Sequence, residues 1–236
     1  MPDDRDLPPN LTRRLASEFV ATAFLLATVV GSGIMGERLA GGNVAIALLA
    51  NTMATGAALV ALIFTFGPIS GSHMNPVVTL VEAAKGAIAW SESAAYLAAQ
   101  ILGAFGGVAA ADIMFGEPVF AVSRHIRSGG AQMFSEFVAT FGLIGVIHCC
   151  VRFKPVIVPF AVGAYITAAY WFTASTSFAN PAVTLARAAT DTFAGIRPAD
   201  APGFIAAQLA GAIASAVFFG WLAPSVTLKS EKESRS

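Results

Sequence analysis

The sequence predicts an all-α membrane protein with six spanning helices and two re-entrant half-helices, arranged as an inverted repeat. Three observations carry this reading. Only 12% of the 236 residues are charged, 56% are hydrophobic, and mean hydropathy is +0.70; soluble domains carry roughly twice that charged fraction. The few charges leave six long uncharged stretches: Phe19–Gly36, Leu39–Val81, Ser93–Ala111, Phe137–Val151, Pro155–Ala186 and Ala201–Leu228. Short segments from the first half of the chain recur in the same order in the second. This composition excludes a soluble enzyme and a disordered chain. The 14 basic and 14 acidic residues leave no positive field to hold nucleic acid, so the surrounding partner is the lipid bilayer.

The first uncharged stretch follows Arg13 and Arg14 and runs on without a cleavage site, so it reads as a retained helix rather than a secretory signal. A spanning helix needs roughly 20 apolar residues at ~1.5 Å each. Leu39–Val81 would be about twice the ~30 Å hydrocarbon core if helical throughout, and Pro155–Ala186 is also too long. Neither contains a second strong apolar run. Instead they end in Gly67-Pro68-Ile69-Ser70-Gly71-Ser72-His73-Met74-Asn75-Pro76 and Ser175-Thr176-Ser177-Phe178-Ala179-Asn180-Pro181. Irregular backbone survives at membrane depth only when buried in protein or lining a water-filled cavity, so each becomes a re-entrant loop with a short half-helix. The whole of 1–236 reads as one channel domain, with repeats at about 12–115 and 131–224.

Placing both termini in the cytoplasm puts Arg5, Arg13, Arg14, Lys85, Arg152, Lys154, Lys229, Lys232 and Arg235 inside. Arg38, Arg124, Arg127, Arg187 and Arg197 then lie outside. The excess inside favours a multi-pass cell-membrane protein in that orientation, on which the Asn10-Leu11-Thr12 sequon is cytoplasmic and without meaning. Cys149 and Cys150, the two cysteines, cannot form a disulfide framework.

Ser17-Glu18-Phe19-Val20-Ala21-Thr22 recurs unchanged at Ser135-Glu136-Phe137-Val138-Ala139-Thr140. Asn75-Pro76-Val77-Val78-Thr79-Leu80 recurs as Asn180-Pro181-Ala182-Val183-Thr184-Leu185, and Ala98-Ala99-Gln100-Ile101-Leu102-Gly103-Ala104 as Ala206-Ala207-Gln208-Leu209-Ala210-Gly211-Ala212. Three spans per half is an odd number, so the second half enters from the opposite side, and a site is expected near the midplane between the halves.

Asn is a preferred N-cap and Pro suits the first helical position. Each Asn-Pro therefore starts a short helix, and the inverted symmetry brings the two starts together at the bilayer centre. Each carries about half an elementary positive charge, which disfavours cations there. The Asn75 and Asn180 amides can offer donors to a passing solute. Carbonyls of Gly71, Ser72, His73, Ser177, Phe178 and Ala179 can offer acceptors.

On these residues the chain resembles an aquaporin, or major intrinsic protein, channel. The resemblance runs from Leu15 to about Leu222: Ser70-Gly71-Ser72-His73-Met74-Asn75-Pro76 is similar to the family's first re-entrant loop, and Glu18 and Glu136 to its two buried, loop-bracing glutamates. It implies an hourglass fold, a passive channel and a homotetramer with one pore per subunit. Bacterial relatives of arsenic-detoxification channels are the nearest fit. Two departures bear on the solute. Val77 stands where the family has Ala. Val183 stands where water and glycerol channels place an arginine that forms the outer constriction and repels cations.

By alignment the remaining filter positions are Thr55 and Ser177, with Tyr170 on the fifth helix; Ala168 and Trp171 are the alternatives there, depending on a gap. Thr55, Ser177 and Val183 make a wide, uncharged, weakly polar mouth. Arg187 lies four residues beyond Val183, one turn further into the half-helix, and is not expected to substitute for the missing arginine. The aspartate of glycerol channels is absent after the second motif. The expected solutes are water and larger neutral molecules: trivalent metalloid hydroxides (arsenite, antimonite), methylated arsenicals, polyols and hydrogen peroxide.

Glu18 and Glu136 are intramembrane acids and so functional by default; bracing loop amides is favoured over a proton relay. His73 is assigned to the cytoplasmic vestibule, where a pH gate is conceivable. Cys149 and Cys150, beside His148, are read as inert thiols, and Gly103 and Gly211 as packing positions. Asp112 and Asp191 are read as interfacial. The sequence shows no nucleophile–base pair, metal-ligand cluster or cofactor fingerprint, and so no enzyme signature. A proton-coupled secondary transporter using Glu18 and Glu136 is the alternative, since inverted repeats and broken helices also build those.

Overall fold

The computed structural model describes residues 9–224. Arg5, Lys229, Lys232 and Arg235 of the charge comparison lie outside the described residues, as does the end of the last uncharged stretch. The elements are α1 (Leu11–Leu39), α2 (Val44–Ser70), α3 (Pro76–Ala84), α4 (Trp90–Phe115), α5 (Gly130–Phe153), a 3₁₀ turn (Pro155–Ile157) that leads into α6 (Val158–Phe172), α7 (Pro181–Arg187) and α8 (Ala201–Leu222). The described residues contain helices and loops but no strand. Six helical runs are long and apolar enough to cross a bilayer, from 18 residues for Pro155–Phe172 to 29 for α1. The two short helices, α3 and α7, have 9 and 7 residues. Their ~1.5 Å rise takes them only part way across the core.

Local chemistry sets the helix starts. Asn10 caps α1 by accepting the Arg13 N–H at 3.0 Å, which gives the sequon asparagine a structural role. Asn43 caps α2 through the Ala45 and Ile46 N–H groups. The end of α2 differs from the sequence expectation. Irregular backbone begins at Gly71, not Gly67, and Pro68 sits in the last helical turn. It removes one helical bond there, while the Gly71 N–H still closes on the Gly67 carbonyl at 3.0 Å. Gly71 then takes φ 88°, the left-handed conformation that ends the helix.

Close helix crossings hold the spans together. A Cβ on Gly103 would strike the Phe19 carbonyl where α4 crosses α1, and a Cβ on Gly211 would strike the Phe137 carbonyl where α8 crosses α5. The two pairs are equivalent in the two halves, so the internal repeat is visible in packing as well as in sequence. Large apolar side chains such as Phe24, Leu102, Ile213 and Trp221 remain exposed around the outside, as a lipid-facing surface requires.

Candidate pore

The re-entrant loops reach their capping asparagines through the same backbone. Ser72 and Met74 before Asn75, and Ser177 and Ala179 before Asn180, all have φ between 47° and 51°. Non-glycine residues adopt this region only when neighbours impose it, and here a buried carboxylate does so in each half. Glu18 accepts the His73 N–H at 2.9 Å on one oxygen and the Met74 N–H at 2.8 Å on the other. Glu136 accepts the Phe178 and Ala179 N–H groups, both at 2.8 Å. Each carboxylate also accepts from a glutamine, Gln100 at 2.8 Å and Gln208 at 2.6 Å. Each glutamine donates in turn to a half-helix threonine, Thr79 or Thr184, at 2.9 Å. These Gln–Thr links were missed as functional residues. The signal was available: a polar residue at equivalent positions of two apolar spans.

The two motifs meet. Asn75 Oδ1 accepts the Val77 N–H at 3.1 Å, and Asn180 Oδ1 accepts the Ala182 and Val183 N–H groups at 3.0 and 3.3 Å. Pro76 and Pro181 follow as the first helical residues, where no donor is needed. Across the junction, Asn75 Nδ2 donates to the Ala179 carbonyl at 2.8 Å and Asn180 Nδ2 to the Met74 carbonyl at 2.7 Å. Each amide spends one hydrogen on this clasp and keeps a second. Both asparagines are buried yet line a cavity of about 270 Å³.

That cavity runs between the halves. Toward the face carrying the chain ends it is bounded by His73, Glu82 and Val158, and toward the opposite face by Thr55, Tyr170, Ser177, Val183 and Arg187. Leu25, Val29, Leu59, Leu143, Val162 and Ile166 form apolar wall along it, while the loop backbone from Gly71 to Asn75 and from Ser177 to Asn180 forms the polar one. Val77 and Ala182 do not line it; Val77 packs instead with Val78, Val81, Ile144 and Ala212. His73 Nδ1 pairs with Thr79 Oγ1 at 3.0 Å, and the ring lies against Tyr96.

The four positions assigned to the outer constriction are together. Tyr170 is buried and its hydroxyl lies 3.3 Å from that of Thr55, whereas Ala168 and Trp171 are exposed on the other side of α6. The Ser177 hydroxyl is buried without a partner. One expectation is overturned: this end is not uncharged. Arg187, 2% exposed, lines the cavity. Four residues along a helix return a side chain to the same face, and the long arginine stem spans the extra turn. Its guanidinium lies 3.4 Å from the Phe178 ring centroid and donates through Nε to the Ala194 carbonyl.

Other expectations fall outside the cavity. Cys149 and Cys150 are partly exposed free thiols on α5. Asp112, in the last turn of α4, is fully buried, accepting from Thr190 at 2.9 Å, and ties α4 to the loop after α7. Asp191 is paired with Arg124 at 3.6 Å. Among the described residues no cluster of His, Cys, Asp and Glu could hold a metal.

Comparison with known proteins agrees with this geometry. The sequence model for the family described as "MIP: Major intrinsic protein" matches residues 8–155. The chain is 53% identical over 213 residues to "Aquaglyceroporin AqpS" of Rhizobium meliloti (strain 1021), covering 90% of this chain and 91% of that one. It is 32% identical over 209 residues to "Aquaporin NIP2-3" of Zea mays, covering 83% and 67%. The X-ray structure of the aquaglyceroporin from Plasmodium falciparum matches with a TM-score of 0.66 at 23% identity, covering 90% of this chain and 95% of that one. At that identity the likeness shows the fold.

Proposed function

The chain belongs to the major intrinsic protein family, whose aquaglyceroporins are channels and not enzymes, and on that premise we propose that its pore passes water together with neutral solutes larger than water. The observation that carries this is the reciprocal Asn75–Asn180 clasp, which joins two helix starts at the middle of a continuous cavity. Each helix start brings about half a positive charge to the same point, so a cation is repelled there while an uncharged hydroxyl solute is not. Such a solute slides with its hydroxyls toward the Asn amides and loop carbonyls and its apolar side toward the aliphatic wall. Thr55, Tyr170 and Ser177 offer hydroxyls at the outer end, and Val183 leaves it wider than an arginine there would.

Polyols, hydrogen peroxide, trivalent metalloid hydroxides and methylated arsenicals fit this description. A name that includes glycerol, borne by the 53%-identical relative, supports the polyol member of the set. The distribution of Lys and Arg supports cytoplasmic termini, so the Glu82 end of the pore faces inward and the Arg187 end outward. A homotetramer with one pore per subunit is the expected assembly. A proton-coupled transporter has little support, because both candidate acids already accept hydrogen bonds on both oxygens and neither lines the cavity.

Stopped-flow measurements on vesicles containing the purified protein test the reading. Glycerol and arsenite should enter along with water, with a low activation energy and no dependence on a proton gradient. Vesicles that pass water but remain tight to both solutes would refute the wide pore. Flux driven by the proton gradient would favour the transporter.

A further inference from the structure

A second cavity, of about 260 Å³, lies on the outer face and shares Arg187 with the pore. Its polar lining is Asn51 from α2, His125 and Arg127 from the loop between α4 and α5, Gln132 from the start of α5, Thr176 and Arg187. Among the described residues no carboxylate lines it. Arg127 and Arg187 both line this cavity, and both guanidiniums lie against the one Phe178 ring, at 5.1 and 3.4 Å from its centroid.

Neither has a counter-ion among the described residues. Among the described residues the ion pairs of this face are Arg38–Glu117, Arg124–Asp191 and Arg197–Asp200. Asp200 meets Arg127 only at the backbone N–H, at 2.9 Å. Glu136 is committed on both oxygens to the Phe178, Ala179 and Gln208 donors. Arg127 donates to the Gly195 carbonyl at 2.8 Å and reaches the Ser175 and Phe193 carbonyls only at 3.5 Å. Arg187, nine-tenths buried and more, donates through Nε to the Ala194 carbonyl, and among the described residues its terminal nitrogens have no acceptor. Carbonyl dipoles and the C-terminal end of α7 offset part of these two positive charges; the remainder faces water in the two cavities, where an anion can replace it.

We propose that this outer vestibule is a binding site for a small monoanion, a carboxylate or a halide, bridged between the Arg127 and Arg187 guanidiniums. Arginine donors match such an anion with charge-assisted bonds, and a Kd on the order of 1 mM suits a site open to water. The site is separate from the question of which neutral solutes pass, and its test reads binding.

Thermal unfolding of the purified protein in detergent is followed against sodium formate, and the same titration of the arginine variants separates site binding from the effect of ionic strength. The expected result is a Tm that rises and saturates in the millimolar range. Arg187→Gln and Arg127→Gln should each abolish the saturable rise, and Arg187→Lys should keep it. Gln132→Glu, which places a fixed carboxylate in the vestibule, should make the protein indifferent to formate. Crystals soaked in bromide should show an anomalous peak within reach of both guanidiniums. A Tm rise that is linear in formate and equal in the native protein, Arg127→Gln and Gln132→Glu would overturn the proposal. So would bromide peaks confined to other places. If Arg187→Gln does not fold, the loop variant Arg127→Gln and the charge-adding Gln132→Glu decide the matter.

Discussion

Replacing Glu136 by glutamine isolates what the buried carboxylate does for the second re-entrant loop. Glu136 accepts three N–H bonds, from Phe178 and Ala179 at 2.8 Å and from Gln208 at 2.6 Å. A glutamine of the same shape keeps one oxygen. If that oxygen stays on the Phe178 N–H, the new amide group faces two donors. Gln208 can turn over, since its own oxygen has no partner, but doing so gives up its 2.9 Å bond to Thr184. The Ala179 N–H is then left buried without an acceptor, beside a residue whose φ of 47° depends on being held. Bonds to charged groups contribute about 1.5–3 kcal/mol and an orphaned buried donor costs about 1–3 kcal/mol, so a loss of about 2–4 kcal/mol is expected. For a chain of this size that is a fall in Tm of roughly 5–15 °C, measured by thermal unfolding in detergent, with reduced solute flux in vesicles. Glu18, which also accepts from Ser70 at 2.7 Å, should tolerate the same change less well. An unchanged Tm with lost proton-driven flux would refute the bracing role and favour a relay.

Val183→Arg should cut glycerol and arsenite flux by an order of magnitude or more, about the factor that 1.4 kcal/mol commands, while water flux persists; unchanged solute flux in the stopped-flow assay would mean that Val183 does not bound the passage. Asn180→Ala removes a cap worth about 1 kcal/mol together with the bond to Met74, and should lower both Tm and permeability. Gly211→Val should destabilise by at least about 1–3 kcal/mol, the usual cost of overpacking, because any Cβ there meets the Phe137 carbonyl. The Arg197 guanidinium beside Asp200, at 2.7 Å, holds that carboxyl below the usual carboxylate range. A depressed folded pKa means the contribution is complete above the unfolded value of about 3.9 and is lost as pH falls through the lower, folded one. Tm should therefore decline more below about pH 4 in the native protein than in Asp200→Asn, the difference being small because Arg197 is well exposed.

The parts of the fold set by local chemistry were legible in the sequence. Missing charges marked the spans, and the repeated Asn-Pro pairs marked two helix starts, because capping is a short-range event. The pairing of Glu18 with Glu136 was legible because the repeat duplicates its context. What was not legible depends on side-chain reach and tertiary approach. Gln100 and Gln208 sat in recognised repeats, yet nothing local shows that they bridge a carboxylate to a half-helix threonine. Arg187 was discounted from its position along the helix axis, although its stem is longer than one turn. Arg127 joins it from a loop with no periodicity to read. Nor does anything local show that the loop after α7 folds over Asp112 and buries it.

The central proposal is that solute passes alongside the two clasped asparagines, which line the cavity. Its most direct measurement places a single thiol in that passage: Ser177→Cys, with Cys149→Ser and Cys150→Ser, reconstituted and treated with a small neutral methanethiosulfonate. Glycerol flux should stop on modification and return on reduction, because Ser177 lines the cavity with its hydroxyl unpartnered. A fully modified protein that still carries glycerol at the original rate would show that the solute travels elsewhere.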